Sequence, residues 1–496
     1  MKLTLSKSQY IKAKQCPLAL WYYRNRKDLT PEISEADQAR FGAGDEIGEL
    51  AMQYFPGGVE VVDPYYDIDA CLKSTQKYVD EGYNDIYEAT AMHPETGAYS
   101  RMDILHKVEG SDEWDLVEVK SSTEVKEYHL DDLAFQYYVF TAAGYKINDC
   151  FLIHINNQYV RQGDINVQEM FHLEDITHIV LEKQAEVNTL VPSILKELDV
   201  KDEPEMDIGI HCFKPHECGY KYHCWEGLPD YSVVNAYPNK KQGFKVAQEI
   251  DSFDVNDIPP NKYPGGNKMT DVVCYQKNEP YVEADTLRNF MSDLVYPLYY
   301  LDYETINPSI PLYDDTKPFQ QVPFQFSLHI QHEPDGELEH HEYLHQEKSD
   351  PREGLTNKLV ELCAGEGSVI VYNQPFEEGR NKELAEIFPH HADTLLNINS
   401  RMIDFMVPFR KRWLYHPDQK GSYSIKYVLP TYTDISYDGM EIANGSEALN
   451  RYLAFAQGKV LEEEQGGLFD ALLKYCELDT YAMVVVEKVL RERANA

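Results

Sequence analysis

Residues 296–305 read YPLYYLDYET. Past Pro297 the run is aromatic and aliphatic with no turn residue, which predicts a buried strand. Asp302 and Glu304 stand two apart at its end, so a strand's period of two turns both carboxylates to one face. Two such charges about 4 Å apart repel by about 4 kcal/mol at an effective dielectric of 20. A divalent cation turns that repulsion into coordination, and Mg²⁺ and Mn²⁺ prefer oxygen ligands. The competing reading of D-x-E by itself is a strand end passing into a solvated acidic loop.

Carboxylates recur downstream at element boundaries. The pattern predicts a loop over 311–318, strands over 322–331 and 337–344, a helix over 350–363 and a strand over 367–372. Asn373-Gln374-Pro375-Phe376-Glu377 follows that last strand and opens a helix. A long helix is predicted over 468–491, where Tyr475 and Asp479 are i, i+4 neighbours on one face. Asp404, in SRMIDFMVP, falls on a further predicted strand, as an outer acid or a strand-end charge. This order resembles the DnaQ-like DEDDy exonucleases of RNase H-like fold: D-x-E first, N-x-x-F-D second, YxxxD third, with Ser424-Ile425-Lys426 resembling the segment before the third motif. Glu377 stands where that family has Asp, which moves the carboxylate by roughly 1.5 Å. The resemblance implies that Asp302, Glu304, Glu377 and Asp479 act with Mg²⁺ or Mn²⁺ in 3′–5′ hydrolysis, and that Tyr475 positions the attacking water.

The first half of the chain has its own pattern. Ser6 is a candidate N-cap for a helix ending near Cys16-Pro17, a second helix covers LALWYYRNR, and others cover 41–55 and 67–81. Strands are predicted over 86–90, 99–108 and 113–120, then a helix over 130–143 and a strand over 148–155. Asp103 lies on the second of these strands, and Glu118 and Lys120 share a face of the third. An acid followed by E-x-K resembles the PD-(D/E)xK nucleases. That resemblance implies Asp103 and Glu118 as metal ligands and Lys120 as the group that orients water or offsets charge on the phosphate. Glu88 could add a ligand, and Gln136 and Tyr137 occupy the following helix. An amphipathic hairpin with exposed charges is the plain alternative.

Cys212, Cys218 and Cys224 lie within thirteen residues in HCFKPHECGYKYHCW, and Cys16 stands near the other end of this half. One early cysteine and a late trio around a nuclease core resemble the iron–sulfur RecB-type and CRISPR-adaptation nucleases, in which four thiolates hold a [4Fe–4S] cluster. The spacing here is C-x5-C-x5-C, where that family more often has C-x2-C-x5-C; zinc and free thiols stay open as alternatives, with His211, His216 and His223 as possible substitute ligands. The histidine that many RecB-type enzymes carry in the early helix is absent from FGAGDEIGELA, which offers Gly48 with Asp45, Glu46 and Glu49. Cys71, Cys150, Cys274, Cys363 and Cys476 read as small buried hydrophobes.

Composition bounds these readings. The 496 residues suffice for two or three domains, no run of about 18 apolar residues marks a membrane span, and MKLTLSKSQY lacks an apolar signal core, so a cytoplasmic location is expected. The net charge of −38 runs against phosphate binding, although it bears on steering more than on any one site. Arg24-Asn25-Arg26-Lys27, Lys240-Lys241 with Lys245, and Arg410-Lys411-Arg412 read as solvated faces.

The sequence therefore predicts an α/β chain with mixed sheets flanked by helices: a restriction-endonuclease-like PD-(D/E)xK domain with a cysteine cluster over 1–226, a connector over 227–289 with some strand content in VVCYQ, and an RNase H-like exonuclease domain over 290–496. The whole resembles an uncharacterised bacterial family fusing these two nuclease types. It implies a metal-dependent nuclease on nucleic acid, DNA before RNA, with no membrane partner. The competing classes are a nucleic-acid-binding or regulatory protein without turnover and a zinc-stapled interaction protein.

Overall fold

The computed structural model describes residues 4–198 and 200–495. The chain forms two units, Met1–Glu226 with Ser309–Phe319, and Gly227–Pro308 with Gln320–Ala496. Among the described residues no helix is long and apolar enough to cross a membrane.

The first unit is built on a seven-stranded mixed sheet: β1 (Leu5–Ser6), β2 (Val59–Glu60), β3 (Asp85–Met92), β4 (Ala98–Lys107), β5 (Trp114–Lys120), β6 (Ile147–Ile155) and β7 (Phe171–Asp175). The order is β2-β3-β4-β5-β6-β7, with β1 parallel to β4. β3, β4 and β5 run antiparallel and β6 returns parallel to β5 through the helix Glu127–Ala142. That helix buries Leu133, Phe135, Val139 and Phe140 against the sheet, and the helix Thr177–Glu197, which the pattern did not single out, adds Val180, Val187 and Val191. Ser6 caps the helix Lys7–Gln15 in a reciprocal box with Gln9. Cys16 then takes an extended conformation and Pro17 opens the helix Pro17–Asn25, where its missing N–H costs nothing. The loop 309–319 is part of this unit: Arg161 donates to the carbonyls of Pro311 and Leu312, each at 2.8 Å.

The second unit begins with residues expected to be a connector. They instead carry a core of their own, in which Tyr231, Val233, Val246, Val255 and Val272 pack together. VVCYQ, expected as strand, lies inside the helix Asn267–Lys277, which stops at Asn278 in the left-handed conformation. Five residues of alternation fit a helix face as well as a strand, and the flanking residues decide. Arg412, expected on a solvated face, is buried and forms a fork with Asp271, its Nη2 2.9 Å from Oδ2.

A two-stranded ribbon pairs β8 (Tyr281–Val282) with β14 (Leu414–Tyr415). The main sheet has the order β11-β10-β9-β12-β13, from β9 (Leu298–Ile306), β10 (Val322–Gln331), β11 (Leu338–Leu344), β12 (Val369–Val371) and β13 (Met402–Asp404). β9, β10 and β11 form an antiparallel meander, and β12 and β13 continue parallel to β9. Tyr299, Leu301 and Tyr303 face the helices Arg352–Cys363, Gln374–Ile387 and Ala392–Ser400. Leu298 and Tyr300 face the other way, onto Met483, Val484 and Leu490 of the C-terminal helix Glu462–Asn495. By the period of two, Asp302 and Glu304 therefore turn toward that helix.

Candidate functional site

In the second unit four carboxylates from three elements lie within electrostatic reach of one another, and Asp302 and Glu304 bring donor atoms within 4.8 Å of each other and of Cys476 Sγ. Asp302 and Glu304 come from β9, Glu377 from the first turn of Gln374–Ile387, and Asp479 from the C-terminal helix. Glu304, Glu377 and Asp479 are all buried. Glu377 is aimed by its turn: Asn373 takes a left-handed conformation (φ 109°) after β12, and its N–H donates to Asp404 Oδ1 at 3.1 Å. Asp404 Oδ1 also accepts from Met406 N–H at 2.9 Å. Asp404 thus fixes the turn that presents Glu377. The helix is anchored beneath by Tyr303, whose hydroxyl donates to Asn381 Oδ1 at 2.7 Å.

The electrostatics follow from burial and crowding. Burial and the neighbouring Asp479, Glu304 and Glu377 push the Asp302 carboxyl well above the usual range. Burial and Asp479 do the same to Glu304 against the opposing field of Lys426. Burial, helped by Asp404, raises Glu377 to about 8, and burial raises Asp479 to about 6 despite hydrogen bonds from Tyr437 and Tyr475. The Tyr437 hydroxyl donates to Asp479 Oδ1 at 2.5 Å. Glu377 Oε2 is buried with no hydrogen-bond partner among the described residues. A polar oxygen in that state points to a ligand that is not protein. Cys476, expected as an ordinary core thiol, stands in this cluster with Sγ 3.9 Å from Asp302 Oδ2; burial and the adjacent acids keep it protonated.

Lys426 and Gly445 complete the surroundings. Lys426 donates to Ala443 O at 2.7 Å, and burial lowers its pKa against the pull of Asp479 and Glu304. A Cβ on Gly445 would lie 3.8 Å from Glu304 Oε2 and 3.9 Å from the Tyr475 hydroxyl, so the start of the helix Gly445–Ala456 borders the acids. Sequence reasoning missed Tyr437 and this helix, because neither carries a local pattern that distinguishes it from other surface segments.

In the first unit Asp103, Glu118 and Lys120 come together on neighbouring strands. Lys120 Nζ is 2.7 Å from Glu118 Oε1 and 2.6 Å from Asp132 Oδ2. Lys7, which no motif marked, brings Nζ to 2.7 Å from the same Glu118 oxygen. Gln136 donates to the other oxygen and accepts from Ser100. Burial opposes ionisation of Glu118, but Lys120 and Lys7 hold its carboxyl down at about 2. Asp103 is raised to about 7 by burial and by Glu118, and its Oδ2 accepts from Val119 N–H at 2.7 Å. Glu88 has φ 56° and an ion pair with Arg101 at 2.9 Å.

A cavity of about 940 Å³ opens on Glu88, Asp103 and Lys120. Asp45, Gly48 and Glu49 of the helix Glu35–Met52 line its far side at helical spacing, and Glu46 does not line it. His216, from the cysteine-bearing segment, also lines this cavity. Chain direction separates it from Lys120 by almost a hundred residues, so no spacing in the sequence could have suggested the juxtaposition.

Cys16, Cys212, Cys218 and Cys224 line one small pocket with Leu18, Tyr22 and Tyr220, two hundred residues of chain closed into one place. Cys16 is the N-cap of Pro17–Asn25, next to the free backbone N–H groups that open this helix. Burial raises the thiol of Cys16 against the lowering influence of the backbone at Leu18 and Ala19. Gln15 donates to the carbonyls of His211 and His216, each at 2.8 Å, tying the two segments. His211 lines the thiol pocket, whereas His216 faces the cavity.

Residues 299–424 match a family described as a domain of unknown function, DUF2779. An uncharacterised protein of Ureaplasma parvum is 31% identical over 221 residues, which is 39% of this chain and 31% of that protein. An uncharacterised protein of Mycoplasma pneumoniae is 24% identical over 213 residues, 39% of this chain and 32% of its own length. The chain thus spans about a third of the length of the curated relatives it matches. The matched family segment contains Asp302, Glu304 and Glu377 and stops before Tyr475 and Asp479.

Proposed function

We propose that this protein is a metal-dependent nuclease, hydrolysing phosphodiester bonds from 3′ ends at the second-unit site, in an RNase H-like exonuclease fold of DEDDy type. The observation that carries this reading is the convergence of Asp302, Glu304, Glu377 and Asp479 in one buried cluster with an unpartnered carboxylate oxygen on Glu377. Four acids cannot ionise together there without cations, and their carboxylate oxygens fit Mg²⁺ or Mn²⁺, the neighbouring Cys476 thiol staying protonated. Those four residues would hold the ions, and ions bound there supply Lewis acidity at the scissile phosphate and lower the pKa of a coordinated water. The Tyr475 hydroxyl, bonded to Asp479, orients the attacking water, while Lys426 offsets charge at the phosphate. The strand, meander, helix and strand order of the main sheet supports the same fold reading.

The first unit is read as a PD-(D/E)xK domain, with Asp103 and Glu118 as ligands and Lys120 as the charged group. Glu118 is already neutralised by Lys7 and Lys120, which favours gripping the strand over cutting it. The four thiols fit a [4Fe–4S] cluster better than one zinc ion. Sulfurs around a single zinc at about 2.3 Å stand only about 3.8 Å apart. The groups of three donors within 4.8 Å among the described residues are Asp302, Glu304, Cys476 and His329, His340, Glu477, not the thiols. Backbone N–H groups at Cys16 also suit a thiolate centre.

The test is degradation of 5′-labelled single-stranded DNA and RNA with Mn²⁺ by wild type, Asp302→Ala and Lys120→Ala. A ladder shortening from the 3′ end that vanishes in Asp302→Ala alone is the expected result. Loss in Lys120→Ala alone moves the chemistry to the first unit. Intact substrate with wild type favours a binding protein without turnover.

A further inference from the structure

On the sheet of the second unit, His329 of β10 stands directly opposite His340 of β11. Their rings stack with centroids 4.5 Å apart. His329 Nδ1 lies 2.8 Å from Thr480 Oγ1, His340 Nε2 lies 3.0 Å from Ser327 Oγ, and the two hydroxyls are 2.7 Å from each other. This relay commits one nitrogen of each ring and fixes its orientation. His329 Nε2 and His340 Nδ1 are left over. Glu477, one turn before Thr480 on the C-terminal helix, brings Oε1 to 3.9 Å from His340 Nδ1. One donor atom from each of the three residues lies within 4.8 Å of the others.

We propose that His329, His340 and Glu477 form a metal centre, distinct from the carboxylate cluster, for a borderline divalent cation of the Zn²⁺ type. Two imidazoles and one carboxylate select such an ion over Mg²⁺. A metal-bound histidine almost always spends its other nitrogen on a hydrogen bond that sets the tautomer, and here both do so, through Thr480 and Ser327. Tetrahedral donors at about 2.1 Å stand about 3.4 Å apart, so a small closing rotation of Glu477 meets the requirement. That freedom exists: the Glu477 side chain is half exposed, and His340 is a quarter exposed, which also gives the ion an entry path. The ligands come from β10, from the edge strand β11 and from the helix that carries Tyr475 and Asp479, so a bound ion would pin that helix to the sheet. This proposal does not depend on the nuclease reading.

The probe is Co²⁺, titrated into the full chain in excess Mg²⁺, which competes for all-oxygen sites and leaves imidazole sites to Co²⁺. Wild type is compared with His340→Gln and Glu477→Gln. Wild type is expected to take up one more equivalent than either variant, or to bind that equivalent at least tenfold more tightly, with weak visible bands and no sulfur-to-cobalt charge-transfer band. Equal uptake and affinity in all three proteins overturns the proposal, as does a charge-transfer band on the equivalent in question. Glu477 supports no core packing, so Glu477→Gln keeps the test decisive even where His340→Gln folds poorly: full uptake by Glu477→Gln at wild-type affinity, with wild-type melting in EDTA, overturns the site.

Discussion

Replacing Glu377 by Gln will stabilise the metal-free protein at neutral pH. The Glu377 carboxyl titrates at about 8 in the fold against 4.5 for the free side chain. Its folded pKa is raised, so the native state holds the proton where the unfolded chain has lost it. Stability is therefore complete below about 4.5 and declines as pH rises toward 8. At pH 7 the protein carries a cost of about 3 kcal/mol, from 2.5 pH units above the free value at 1.36 kcal/mol each. Gln is neutral at every pH and lacks that cost. For a unit of this size the gain corresponds to roughly 6–12 °C in Tm. The assay is thermal melting in EDTA from pH 4.5 to 7.5, followed by tyrosine and tryptophan fluorescence. The advantage of Glu377→Gln should shrink to nothing near pH 4.5. Saturating Mn²⁺ should raise the Tm of wild type by more than that of the variant, because the cation replaces the proton as the countercharge. A variant no more stable than wild type at pH 7 in EDTA would refute the crowded-acid account.

Asp302→Asn should reduce Mn²⁺-dependent shortening of a labelled strand at least a hundredfold, measured as initial rates, while leaving the fold unchanged in circular dichroism. Lys7→Met should cost about 1–2 kcal/mol in urea denaturation, less than the 3–5 kcal/mol of a broken buried pair, because Lys120 still faces Glu118; a stabilised variant would contradict the charge balance drawn around Glu118. Gly367→Ala should lose about 3 kcal/mol or more, since Gly367 sits at φ 106° and the added Cβ would lie 2.1 Å from Pro297 O; a melt within 2 °C of wild type, on the order of 1 kcal/mol, would count against that geometry. Cys224→Ser should remove the visible absorption and the iron of anaerobically purified protein, and a colourless wild type carrying one zinc would favour the zinc reading instead.

Local physics made several elements legible. The aromatic and aliphatic run before Asp302 reads as a strand, and β9 is buried along its length apart from Asp302 itself. Ser6, Gln9 and Pro17 set the first two helices, because capping and proline geometry act within one turn. Asp302 with Glu304, and Tyr475 with Asp479, share faces because strand and helix periods are fixed by the backbone. VVCYQ is ambiguous because a short alternation carries no length information, and after Glu226 proline and asparagine mask a small core.

What the sequence determined by itself is the set of residues with chemistry to offer and the periodicity that turns them to one side of an element. Which of them meet depends on how distant segments pack. Glu377 reaches the acids of β9 through the left-handed turn at Asn373, held by Asp404; Lys7 reaches Glu118 across 111 residues; His216 faces the cavity of Lys120 while its neighbour His211 turns to the thiols. The physical reason is that dihedral preferences and hydrogen bonds act over a few residues, whereas burial is non-directional and brings together whatever surfaces exclude water. The shifted carboxyls belong to that second kind, since desolvation and crowding exist only once the distant segments have packed.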